Sequence, residues 1–214
     1  MSTPMPEFPD AAASPHSFSF GGYATEPEGL EGVSFWPRAI ARVIDYVVHY
    51  VVGFCSGTIF RIMLEIASGG RIPWRVLIKV SHIGVPLFVA SVLGAAVYHI
   101  VFVTVHGSTL GKLIFSVVVV QADGSPCRLG PAAIREIGYW VDSIFFGLVG
   151  YMAMQRTRQQ QRYGDQWAET VVCSRSGVPK ESLRGAGRFV LALMLALMAD
   201  SALLMVGLLV QLNG

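Results

Sequence analysis

Residues 83–105 contain no Asp, Glu, Lys or Arg. A hydrocarbon layer of roughly 30 Å takes about 20 apolar residues as a helix. A helix suits it because every backbone polar group can then be satisfied inside the segment. This stretch meets the requirement, and residues 189–212 meet it with one charge, Asp200. Residues 36–60 would be a third span but for their ionisable groups. Trp36, Trp74, Trp140 and Trp167 lie near the edges of apolar runs, as tryptophans at a membrane interface do. Only 14% of the chain is charged, against about a quarter in soluble domains. The sequence therefore reads as an all-α integral membrane protein.

The ionisable groups in the first span are ordered. Arg38, Arg42, Asp45 and His49 are spaced at intervals that return a helix to nearly the same face. Gly53 and Ser56 continue that stripe, and the other faces are Ile, Val, Tyr and Phe. An Asp or Arg at mid-membrane costs roughly 2.5–3.5 kcal/mol even on the mild insertion scale, so the stripe faces protein or a water-filled cavity. Arg38 lies near the entrance and can snorkel. Arg42 has both Asp45 and the interface within reach.

The chain divides into three parts. Residues 1–33 hold five prolines, five acids (Glu7, Asp10, Glu26, Glu28, Glu31) and no Lys or Arg. That composition predicts a disordered acidic tail, and without a basic and an apolar region it is not a signal peptide. Residues 34–175 form a membrane domain with helices at about 36–60, 83–105 and 132–155, Ser34 and Pro37 marking the first helix start. Residues 187–212 add a C-terminal transmembrane helix. The β-branched run before Asp123-Gly124 predicts a short extramembrane hairpin over about 115–129. The run at 169–173 is able to add a strand.

Residues 132–155 admit two readings. Arg135, Glu136, Tyr139, Asp142 and Ser143 share one helical face, while the apolar run that follows is too short to cross alone. One tilted span is the default on length; the alternative is a re-entrant helical hairpin. The choice sets the orientation, because basic residues favour the cytoplasmic side. One span divides them 5 against 11 and translocates the tail. A hairpin divides them 12 against 4 and keeps the tail cytoplasmic.

Several motifs together resemble the RDD family of membrane proteins. They are Arg38-x-x-Ala41-x-x-Ile44-Asp45, then Thr109-x-Gly111-Lys112 with its valine-rich strand, then Arg135, then residues 158–172 ending in Thr170-Val171-Val172. The resemblance spans about 34–175. It maps the arginine and two aspartates for which the family is named onto Arg38, Asp45 and Asp165. It implies a multi-pass protein for which transport of unidentified ligands is the suggested role.

The candidate ion, proton or structural charge site is thus Arg38, Asp45 and Asp165 with Arg42, His49 and Asp200. Intramembrane acids suit a cation/proton exchanger or a small-ligand transporter. The same charges suit a non-transporting adaptor or scaffold whose stripe pins helix packing. Gly107–Lys112 lacks the spacing of a phosphate loop, and Cys55, Cys127 and Cys173 lack that of a metal or redox set. No enzyme activity, catalytic residue, cofactor or metal is expected. A net charge of +2 does not suggest nucleic acid. The expected partners are the lipid bilayer, further copies of the chain and a membrane protein met through 187–212. The expected location is the bacterial cell (inner) membrane.

Overall fold

The computed structural model describes residues 30–67, 69–70 and 84–213. Most of the expected acidic tail, and the basic loop with Trp74, lie outside them.

Helix α1 (Phe35–Ala67) is 33 residues long and ends at a Gly69-Gly70 turn with φ of 61° and 73°. Helix α2 (Val85–Val105) follows. Then come the short helix α3 (Leu110–Ile114), strand β1 (Val117–Gln121), and helices α4 (Leu129–Asp142) and α5 (Ile144–Gln155). The short helix α6 (Tyr163–Trp167), strand β2 (Thr170–Ser174) and helix α7 (Ala186–Asn213) complete the order.

Among the described residues, two stretches are long and apolar enough to cross a membrane, Val85–Val105 and Lys180–Gln211, or three if α4 and α5 count as one bent span. The expected four are therefore not all found. Helix α1 is long enough, but Arg38, Arg42 and Asp45 crowd its first third.

Helices α2 and α7 run antiparallel. At one end Phe189 stacks edge-on against Phe102, and at the other the Gly84 N–H donates to Gln211 Oε1 at 3.1 Å. Between them Tyr98, Phe102, Ala192 and Ala196 form a buried core. A Cβ on Gly207 would lie 2.8 Å from Ala90, so a small residue sets this approach.

The expected hairpin over 115–129 is reduced to one bridge, Val120 with Pro126, beyond a tight turn. Strand β1 pairs instead with β2, antiparallel, from Val117 opposite Ser174 to Gln121 opposite Thr170. Val117 and Val119 join one core with Val103, Ala132 and Val172, while Val118 and Val120 join another with Val171, Cys173 and Val178. Both faces are covered, so the strand reads as a continuous apolar run rather than an alternation. Residues before α1 add to the other edge: the Val33 N–H donates to the Val172 carbonyl at 2.8 Å, and Gly32 bridges Cys173.

Residues 132–155 do not form one straight helix, and both readings, a broken span and a re-entrant hairpin, fit the bend. The chain bends by 113° between α4 and α5. Phe145, Phe146 and Gly147 all have positive φ at the bend. The inner face carries Ala132, Arg135, Gly138 and Asp142, then Gly150, Ala153 and Met154. Ile137, Trp140, Phe145 and Phe146 point outward and are exposed. The bent pair thus packs Arg135 and Asp142 inward and leaves those apolar residues outward.

Candidate functional site

The charged residues fall into four groups. The first joins α1, α4 and α6. Arg38 and Asp165 form a buried ion pair, and Arg38 also donates to the Gln160 carbonyl at 2.8 Å. Arg135 reaches the other Asp165 oxygen at 3.1 Å and donates to Thr170 Oγ1 at 3.0 Å. The Arg162 backbone N–H donates to Asp165 Oδ2 at 3.2 Å. Burial alone would raise the Asp165 carboxyl, but Arg135, Arg38 and Arg162 outweigh it and hold it well below the usual carboxylate range. Beside it, Asp142 accepts the Tyr163 and Gly164 N–H groups at 3.0 and 3.2 Å. Those are orphan donors at the start of α6, so Asp142 acts as a remote cap. Gly138 permits the crossing, since a Cβ there would lie 2.4 Å from Gly164 Cα.

The second group surrounds Asp45, which is fully buried. Its carboxylate accepts from Tyr98 Oη at 3.1 Å, Thr109 Oγ1 at 2.5 Å and the Gly111 N–H at 2.8 Å. Tyr98 Oη in turn accepts the Leu110 N–H at 3.3 Å. Asp45 thus satisfies the first turn of α3 from across the helix pair. His99 Nδ1 lies 4.0 Å from Asp45 Oδ2. Among the described residues no guanidinium pairs with Asp45, and Arg42, which has it within reach along the helix, pairs elsewhere.

Arg42 forms the third group with Glu136, as a two-point ion pair. Its guanidinium lies over the Tyr139 ring at 3.9 Å and near Tyr46 at 5.1 Å. The desolvation of both ions is offset by fork-to-carboxylate geometry and stacking.

The fourth group lies deeper. His49 Nε2 is 3.2 Å from the Ser91 carbonyl and 3.9 Å from Asp200 Oδ1. A carbonyl only accepts, so Nε2 carries the proton in that contact. Asp200 is 7% exposed, and its Oδ1 is buried without a hydrogen-bond partner. Gly94 makes room for it: a Cβ there would sit 2.0 Å from Asp200 Oδ1. At 1.5 Å per residue, His49 and Asp200 each lie about 21 Å from the start of their own helix.

The structure therefore brings Arg38 to Asp165 and His49 to Asp200, and it leaves Asp45 apart from both pairs. Asp142, Glu136, Tyr98, His99 and Thr109 complete these groups. Glu136 and Asp142 were visible in sequence only as members of a polar face. Tyr98 and His99 carried only the signal of two adjacent polar residues in an apolar span. Among the described residues, no three His, Cys, Asp or Glu side chains are grouped to hold a metal.

The family model described as the RDD family matches residues 33–169. No curated protein and no solved structure matches the chain.

Proposed function

The chain belongs to the RDD family, and from that premise we propose that it is a membrane-embedded exchanger that moves a cation against a proton through His49 and Asp200. The observation that carries this reading is the buried, unpartnered Asp200 Oδ1 facing an imidazole across α1, α2 and α7. An acid held without a fixed counter-ion can exchange a proton for a cation at little structural cost. Arg38–Asp165, Arg42–Glu136 and the Asp45 and Asp142 caps form the frame that holds this pair. Their carboxylates already accept from guanidinium, hydroxyl or N–H donors, which suits pinning rather than turnover.

The hairpin reading of α4 and α5 completes the topology. It keeps the tail, the sheet and the start of α7 on one side with 12 basic residues, against 4 on the other. The positive-inside tendency makes that side cytoplasmic in a bacterial inner membrane. So few helices enclose a path more readily as an oligomer.

The adaptor reading draws on the same pinned frame and gives Asp200 the role of docking α7. Proton flux separates the two. Purified protein in liposomes with a trapped pH dye should release protons when alkali cations or a lipophilic monocation are added, and Asp200→Asn should not. Flux absent for every cation, or unchanged in a folded Asp200→Asn protein, would favour the adaptor.

A further inference from the structure

A cavity of about 430 Å³ lies between α1, α2 and α4, and His49 is part of its wall. Its volume falls within the range of small-molecule sites. Tyr46 and Tyr50 line it from α1, Phe88 from α2, and Tyr139 and Trp140 from α4. Tyr50, Phe88 and Trp140 are each more than 60% exposed, so its mouth opens sideways through the apolar outer surface rather than towards the sheet.

Charge decides what this cavity suits. Among the described residues, the one carboxylate in its wall, Glu136, is neutralised by Arg42. Behind His49 stands Asp200, which has no guanidinium within ion-pair distance among the described residues. Once the His49–Asp200 pair has released its proton, leaving Asp200 ionised, the immediate surroundings carry one uncompensated negative charge. Aromatic faces attract a cation most strongly when it is poorly hydrated. Arg42, stacked between Tyr139 and Tyr46, already shows these rings accepting a delocalised cation.

We propose that this cavity binds a lipophilic monocation, such as an aromatic quaternary ammonium, which enters laterally from the bilayer and places its charge towards His49 and Asp200. The proposal rests on the exchange reading and supplies its substrate class. Balance requires one proton to leave the His49–Asp200 pair for each monocation that enters, with no other bond made or broken.

The test is ethidium binding to the full chain in lipid nanodiscs, followed by fluorescence anisotropy, with empty nanodiscs as background. Saturable binding is expected, about tenfold weaker in Asp200→Asn and in Trp140→Ala. Neutral phenanthridine should bind at least about tenfold more weakly than ethidium. Trp140 is exposed, so its variant keeps the test valid if Asp200→Asn fails to fold. No saturable binding, equal binding of phenanthridine, or ethidium binding unchanged in Trp140→Ala would overturn the proposal. If alkali-cation exchange through Asp200 persists without ethidium binding, the substrate class falls and the exchanger stands. If ethidium binds as expected without proton release, the site stands and exchange falls.

Discussion

The Asp45 carboxylate on α1 accepts the Gly111 N–H on α3 at 2.8 Å, so an acid inside an apolar helix serves as the cap of a distant short one. Thr109 and Tyr98 donate to the same carboxylate. Asp45→Asn replaces an acceptor with a donor that faces donors. We expect a loss of about 2–3 kcal/mol, since hydrogen bonds to a charged group are worth roughly that much. Thermal unfolding in detergent reads it; an unchanged midpoint would remove Asp45 from the frame.

Asp200→Asn should behave in the opposite way. Asp200 Oδ1 has no hydrogen-bond donor to lose, and the amide is close in size. Stability should change by less than about 1 kcal/mol while proton release falls to background. A variant that unfolds but exchanges when stabilised would make Asp200 a packing residue.

Part of this arrangement is legible in the chain itself. Helical spacing alone aligns Arg38, Arg42, Asp45 and His49. Their partners are not legible that way, because Asp165 follows Arg38 by 127 positions and Glu136 follows Arg42 by 94. Periodicity carries no register between elements so far apart. The strand at 117–121 stands out through its valines and the run at 169–173 as able to join it, yet the register between them is not legible, because a strand buried on both faces loses its alternation. The bend after α4 is legible only as one of two readings, for a third reason. Phe145 and Phe146 adopt positive φ against the ordinary preference of bulky residues. Gly147 and the shortness of the apolar run around it hint at it.

Two glycines offer a sharper comparison. A Cβ at Gly94 would lie 2.0 Å from Asp200 Oδ1, a side-chain end able to move, whereas one at Gly111 would lie 2.0 Å from the Ala41 backbone carbonyl. Gly94→Ala should yield folded protein with lost exchange. Gly111→Ala should cost about 1–3 kcal/mol or more, as overpacking does, and little folded protein should elute on size exclusion. Equal yields and equal flux for both would contradict the packing described.

Lys112 gives the frame a pH dependence. Burial, reinforced by Arg135, Arg42 and Arg162 and opposed by Asp45, lowers its ammonium to about 7 from an ordinary 10.5. Below pH 7 the group is charged in both folded and unfolded chains, and its full penalty on folding is present. Between pH 7 and 10.5 only the unfolded chain holds the proton, so this contribution to stability rises with pH. Lys112→Met should therefore raise the unfolding midpoint at pH 6, with the gain shrinking towards pH 10. A gain independent of pH would place the ammonium in water.

The hairpin reading of α4 and α5 predicts where its flanks are reached. Gly130 and Arg158 are both exposed, one in the first turn of α4 and one just after α5. Cys127 and Cys173 are buried, so replacing exposed Cys55 with Ser leaves little background reactivity. Single cysteines at 130 and 158 should then react with a membrane-impermeant maleimide from the same side, the cytoplasmic one in inverted vesicles. A cysteine at Phe146, at the apolar tip, should react from neither side, because hydrocarbon excludes both reagent and thiolate. Labelling of 130 and 158 from opposite sides would restore a single span and reverse the charge balance on which the orientation rests.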